Sequence, residues 1–248
     1  MNCVTCVKIG TKYSPIYVNK LYNAIRKQCD LDFICFTDDP SGIDPNVIVY
    51  DMQPLVKDPS KWQDPKRERI GIHSWWPAWN KLELFAREEL DKYDKKIFFD
   101  LDVVIQGDLS PILDFETNFA VAPCKWKSDE FVKKNHTEKE PVYAFNTDCI
   151  VWKDIKFIYE QYISDWKRYC RKIRSDDTYL NQFHFSDFEF LPDVFYSYKK
   201  GSKPEHNQDG GAPRLEFMPE YSVCTFHGKP DIIELDHDNI LYKIWSDC

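Results

Sequence analysis

Four apolar segments of β type, each closing on polar or acidic residues, restrict the folds open to this chain. They are "CVTCVKI" from Cys3, "DFICFTDD" from Asp32, "NVIVYDM" from Asn46 and "KKIFFDLD" from Lys95. After the first, Ser14-Pro15 has the form of a helix N-cap followed by proline at the first helical position. Val18, Leu21, Tyr22, Ile25 and Cys29 then recur on one helical face. "KLELFAREEL", from Lys81 to Leu90, predicts an amphipathic helix that delivers the chain to the fourth segment. Strand alternating with helix implies an α/β fold, with a mainly parallel central sheet and helices on both faces. Ligands of such sheets gather at the carboxyl ends of the strands, where Asp38, Asp39, Asp100 and Asp102 all fall.

The second half is less regular. "NFAVAP" and "PVYAFNTDCIVW" predict strands, residues 154–172 an aromatic-rich helix, and "SDDTYLNQF" a short helix capped by Ser175. "PEYSVCTFHGKP" predicts a strand that ends at His227, and the polar stretch from Lys199 to Pro213 predicts a loop. No repeat and no linker divides the chain, so one domain over residues 1–248 is expected.

Composition narrows the function classes. A net charge of −8 with scattered lysines and arginines argues against nucleic acid as the main partner, because phosphate neutralisation needs a basic face. No apolar run approaches the ~20 residues that span a bilayer, and "MNCVTCVKIG" lacks the pattern of a secretion signal. A cytoplasmic location follows as an expectation, the host cytoplasm if the chain is of phage origin. Nine scattered cysteines make no disulfide framework, and Cys3 and Cys6, three apart on a strand, point to opposite faces. Asn135-His136-Thr137 is a glycosylation sequon that matters only on a secretory route.

The acidic pair in "FFDLDVV" carries the most chemistry. In an extended strand Asp100 and Asp102, with Leu101 between them, project to one face roughly 6 to 7 Å apart at their Cα atoms. That spacing suits one hard divalent cation, which takes oxygen ligands and completes its shell with phosphates. A pair of solvated strand-end carboxylates satisfies the same residues.

Two enzyme families write this stretch alike. "FFDLDVV" resembles the first motif of haloacid-dehalogenase-type phosphatases, in which the first Asp attacks phosphorus and the second is the acid/base. It also resembles the D-x-D motif of GT-A glycosyltransferases, in which the carboxylates bind a metal bridging a nucleotide diphosphate. The phosphatase motif opens its fold, whereas almost a hundred residues of strand and helix precede this one. "CVKIGTKYSPIYVNKLYNAIRK", "FICFTDDPSG", "FFDLDVVIQGDLSPIL", "FNTDCIVWK", "SDDTYLNQF" and "FHGKP" together resemble a bacterial and phage GT-A glycosyltransferase family with affinities to family 8.

That resemblance implies a Rossmann-like GT-A domain with a nucleotide-binding half over residues 1–110 and an acceptor-binding half over 111–248. It implies transfer of a hexose from a UDP-sugar to an unidentified acceptor, with Mn²⁺ or Mg²⁺ and with retention of configuration as in family 8. Val7, Lys8, Tyr13, Thr37 and Asp38 would hold the base, with Tyr13 stacked on uracil and Asp38 accepting from its imide N–H. Lys81 would face the donor phosphates. Asp100, Asp102 and His227 would hold the metal, with Leu101 in the motif. Lys229 would contact the β-phosphate, although the family spaces its histidine and lysine further apart. Asn146, Thr147 and Asp148 would line the sugar pocket. Asp176 and Asp177 would lie near the anomeric carbon, Asp177 being the base if the enzyme inverts. A dehalogenase-type phosphatase and a non-catalytic nucleotide- or sugar-binding module remain the alternatives.

Overall fold

The computed structural model describes residues 1–54, 76–126, 145–173, 175–204 and 214–248. The sequon, the start of "PVYAFNTDCIVW" and residues 205–213 of the expected loop lie outside the described residues.

Strand β1 (Asn2–Lys8) runs parallel to β2 (Asp32–Thr37) on one side and β4 (Lys95–Phe99) on the other. Its position between neighbours explains its unbroken apolar character, since both faces are covered. Cys3 enters one core layer and Val4 and Cys6 the other, and none of the nine cysteines forms a disulfide. β3 (Ile48–Asp51) extends the parallel side beyond β2. Beyond β4 lie β7 (Phe145–Trp152) and β6 (Phe119–Pro123), antiparallel in succession, and then β8 (Glu189–Phe190), parallel to β6. The seven-stranded order is β3-β2-β1-β4-β7-β6-β8.

One face of the sheet is covered by α1 (Pro15–Arg26) and the last helix, α6 (Ile240–Ser246). Ser14 occupies the expected N-cap position in extended conformation without a side-chain cap bond. Tyr17, Val18, Leu21, Ala24 and Ile25 form the buried stripe of α1, where each large aliphatic side chain contributes about 1.5–3 kcal/mol by leaving water. The other face carries the 3₁₀ segment Trp76–Ala86 and helices α3 (Lys156–Ser164), α4 (Trp166–Lys172) and α5 (Asp176–His184). α2 (Ser110–Leu113) is a single turn.

Four elements depart from the expectations. "KLELFAREEL" is not an α-helix; the chain forms 3₁₀ segments over Trp76–Ala86 and Glu88–Leu90, broken at the extended Arg87. Arg87 is held there by bonds to Glu83, Glu89 and the Asp51 carbonyl, which fix its long side chain across the break. The helix expected over 154–172 is two helices meeting at Asp165. The strand before His227 covers only Val223–Thr225. Most consequential, the strand containing the acidic pair stops at Phe99. Asp100, Leu101 and Asp102 form a turn, and the apolar run resumes as β5 (Val103–Ile105) in a different sheet.

That second sheet has the order β5-β10-β9, with β9 at Phe195–Ser197 and β10 at Val223–Thr225. β10 is antiparallel to β5 and parallel to β9. The chain changes sheets across the acidic pair, and this brings the residues after β10 alongside it.

Candidate active site

The turn between β4 and β5 is pinned from both sides. The Asp100 amide donates to the Asp148 carbonyl at 2.8 Å, and the Asp102 carbonyl accepts from the Phe226 amide at 3.0 Å. Leu101 is buried at 3% exposure, an apolar anchor that leaves its two neighbours to face the opening. A turn held by β7 and by the end of β10 thus performs what an extended strand was expected to do, and strand pleating plays no part in it.

β7 supplies the second wall. Its register with β6 jumps from Val121↔Ile150 to Ala122↔Asn146, so the partner strand has no counterparts for residues 147–149. Bulges of this kind re-aim side chains beside active sites. Here the bulge turns Asn146, Thr147 and Asp148 toward the acidic turn. Asn146 Nδ2 donates to Asp148 Oδ2 at 2.9 Å. The third wall is the first turn of α5, where Ser175 accepts from the Thr178 amide as an N-cap and Asp176 and Asp177 follow.

Lys81 ties the three walls together. Its ammonium lies 2.6 Å from Asp100 Oδ2, 3.2 Å from Thr147 Oγ1 and 3.8 Å from Asp176 Oδ2. Burial works against its charge, but Asp100, Asp176 and Asp177 outweigh that and raise its pKa. It is therefore an internal counter-ion fixed by the protein, and no solvated lysine. Such a buried pair costs desolvation and is held by the added hydrogen bonds.

Asp102 receives the Tyr13 hydroxyl at 2.6 Å and has Lys12 at 3.9 Å. Burial, followed by the charge of Asp100, pushes the Asp102 carboxyl up to about 6. Asp148 is raised well above the carboxylate range by burial, then by Asp100 and Asp102. His227, just past β10, places Nε2 3.1 Å from the Thr225 hydroxyl and 3.9 Å from Asp148 Oδ2, with the Trp126 ring 5.4 Å away.

The expected base-binding residues form a separate group at the ends of β1 and β2. Val7 and Lys8 pair in register with Phe36 and Thr37. Lys8 Nζ donates to the Asp39 carbonyl at 3.2 Å, and the Thr37 hydroxyl closes a turn on Asp39. Both Asp38 oxygens accept from the Gly10 amide at 3.1 Å, and Gly10 has φ +70°, a conformation that favours glycine. Tyr13 does not join this group: its ring packs edge-on against Tyr17 at 5.0 Å and its hydroxyl reaches the acidic turn. Lys229 also stands apart, 77% exposed and paired with Glu234.

Thr147 and Asp148 do more than line a sugar pocket, and Lys199 was not singled out from the sequence at all. Thr147 is the hub between Lys81 and the α5 aspartates, Asp148 joins the acidic group as well as the β7 wall, and Lys199 donates to the His227 carbonyl at 2.8 Å. The one legible signal was the polar Asn-Thr-Asp interruption at the start of an otherwise apolar strand.

The donor types suit a hard divalent ion: carboxylates at Asp100 and Asp102 with an imidazole nearby. Asp102 and Asp148 are both raised first by burial and then by neighbouring negative charge, and a cation would relieve the second of these. Among the described residues, no three His, Cys, Asp or Glu side chains already stand in an arrangement that encloses a metal. The donor set fits a cation, and its final geometry would form on binding.

Solved structures share this architecture. The galactosyltransferase LgtC, in complex with donor and acceptor sugar analogues, superposes with a TM-score of 0.66 at 14% identity, over 100% of this chain and 94% of that one. The fold is that of the GT-A glycosyltransferases. The glycosyltransferase GlyE of Streptococcus pneumoniae matches with a TM-score of 0.60 at 12% identity, over 100% of this chain and 60% of its own. WbbM, a bifunctional glycosyltransferase, matches at 0.58 and 16% identity, over 99% of this chain and 49% of its own. No family model matches the sequence, and no curated protein matches it. Within the GT-A fold, the acidic turn follows the fourth strand, at the carboxyl edge of the sheet. No helix among the described residues is long and apolar enough to cross a membrane.

Proposed function

We propose that this chain is a metal-dependent glycosyltransferase that moves a hexose from a UDP-sugar to an acceptor. The observation that carries the reading is the convergence of the Asp100–Asp102 turn, the β7 bulge and the first turn of α5 at the carboxyl edge of a GT-A sheet.

Asp100, Asp102 and His227 would hold Mn²⁺ or Mg²⁺. When bound, such an ion would supply positive charge for a leaving diphosphate. The protein's own groups do the rest. Val7, Lys8, Thr37 and Asp38 form the ledge for the base, where Asp38 accepts from the imide N–H with lone pairs not used by Gly10. Lys81 orients Asp100 and sets the charge of the inner wall. Tyr13 fixes the rotamer of Asp102 by its hydroxyl, a role in place of stacking on the base. Asn146 and Asp177 meet the sugar, where amide and carboxylate suit hydroxyls that both donate and accept. If configuration is retained, Asp177 stabilises charge at the anomeric carbon; if it is inverted, Asp177 is the general base. Lys229 would reach the β-phosphate only by leaving Glu234.

Incubating the protein with a panel of UDP-hexoses and Mn²⁺ tests this reading by release of UDP. Turnover on one donor supports it. UDP binding without turnover on any donor favours the silent binding module. Phosphate release from simple esters without a nucleotide favours the phosphatase.

A further inference from the structure

Thr147 is 2% exposed, at the centre of the β7 bulge. Its Oγ1 lies 3.2 Å from Lys81 Nζ, 2.8 Å from Asp176 Oδ2 and 2.6 Å from Asp177 Oδ1. A hydroxyl oxygen has one proton to give and two lone pairs to receive. The ammonium can only donate, so it takes one lone pair. The single proton satisfies one carboxylate. The other carboxylate oxygen, at hydrogen-bond distance, either shares that one proton in a three-centre bond or brings its own to the second lone pair.

A carboxylic acid at one aspartate of the pair gives every contact its own proton and leaves one buried negative charge in place of two. Asp176 is the more deeply buried, with its side chain 3% exposed, whereas Asp177 is half-buried. Burial, aided by Asp177 and Asp100, pushes the Asp176 carboxyl up to about 7 against the pull of Lys81 and of the Thr147 bond. The groups facing the pair are Lys81 from the 3₁₀ segment, Asp100 at the end of β4, Asp148 on β7 and the Tyr162 hydroxyl from α3.

We propose that Thr147 is a positioning residue that divides protonation between the two aspartates. It accepts the proton of neutral Asp176 and donates its own to Asp177, which is thereby held ionised and in one orientation. No bond beyond hydrogen bonds is made or broken. The catalytic consequence rests on the reading of Asp177 as the group that meets the sugar; the division of protons does not.

The test is ¹³C NMR of the full chain labelled at aspartate, following the carboxyl carbons from pH 8 to 4 and assigning them with Asp176→Asn and Asp177→Asn. In the wild type at pH 6, Asp176 is expected to be mostly protonated and Asp177 ionised. Thr147→Val, which keeps the shape and removes the hydroxyl, raises the proton affinity of Asp177 by about tenfold or more. Thr147→Ser restores the wild-type curves. Two ionised carboxylates at pH 6 in the wild type would overturn the proposal, as would a folded Thr147→Val with an unmoved Asp177 curve. Should the valine variant fail to fold, the wild-type and serine curves decide. In parallel, Thr147→Val is expected to lower kcat for UDP release by about tenfold while Mn²⁺-dependent UDP affinity stays within about twofold of wild type. Unchanged kcat would refute the positioning role alone. No UDP release by the wild type would count against the proposed activity and leave the proton count standing.

Discussion

At the residue scale, the site is a set of carboxylates whose charges are met by a few fixed partners. Asp102 has the Tyr13 hydroxyl and a distant Lys12, and Asp100 has Lys81. If Asp102 holds the cation, Asp102→Asn weakens Mn²⁺-dependent UDP binding by at least about 100-fold. Calorimetry with and without Mn²⁺ checks this, and unchanged metal-dependent binding would place the ion elsewhere. Tyr13→Phe removes only the hydroxyl. It is expected to destabilise the fold by about 1 kcal/mol in urea unfolding, because a half-buried carboxylate loses its donor. A ring that instead served only to stack on the base would show no such loss in the ligand-free protein.

At the element scale, the decisive feature is the change of sheet between β4 and β5. Phe99, fully buried directly before Asp100, anchors the strand end from which the turn departs. Phe99→Ala is expected to cost about 3–5 kcal/mol of stability in denaturant unfolding. α5 offers a pH test. His184, 2% exposed, has its Nδ1 2.9 Å from Asp187 and its Nε2 3.3 Å from the Tyr179 hydroxyl. Burial lowers its pKa below 6.5 despite the carboxylate. The unfolded chain then takes up the proton first. The contribution is fully present above the unfolded value of about 6.5 and is lost as pH falls through the folded one. Wild-type stability should drop relative to His184→Gln between pH 7 and 5, and parallel curves would refute the assignment.

The elements also show where sequence reasoning holds and where it stops. β1, β2 and β4 were legible because a strand covered on both faces is largely apolar and must end where the sheet ends, and β3, half-buried at the sheet edge, was legible from its β-branched and aromatic run. The same logic misread Asp100 to Asp102, because apolar residues on both sides of the turn belong to different sheets and read as one run. "KLELFAREEL" has helical periodicity, yet Arg87 is tied to partners as remote as Asp51, and no local pattern encodes that. Lys81 and His227 were identifiable by motif, but not their partners. The link from Lys81 to Asp176 passes through a bulge whose register depends on β6.

At the scale of the whole molecule, a parallel portion (β3-β2-β1-β4) and a mixed portion (β7-β6-β8) share one sheet, and the acidic residues collect where they meet. A net charge of −8 makes a cation the natural intermediary for an anionic donor. The central claim is that this edge binds a nucleoside diphosphate through a divalent ion. Calorimetric titration of UDP into the full chain, with Mn²⁺ and with Mn²⁺ removed by chelator, tests it most directly. UDP is expected to bind with Mn²⁺ and to bind at least about tenfold more weakly without it; no UDP binding in either condition would contradict a metal-bridged nucleotide site.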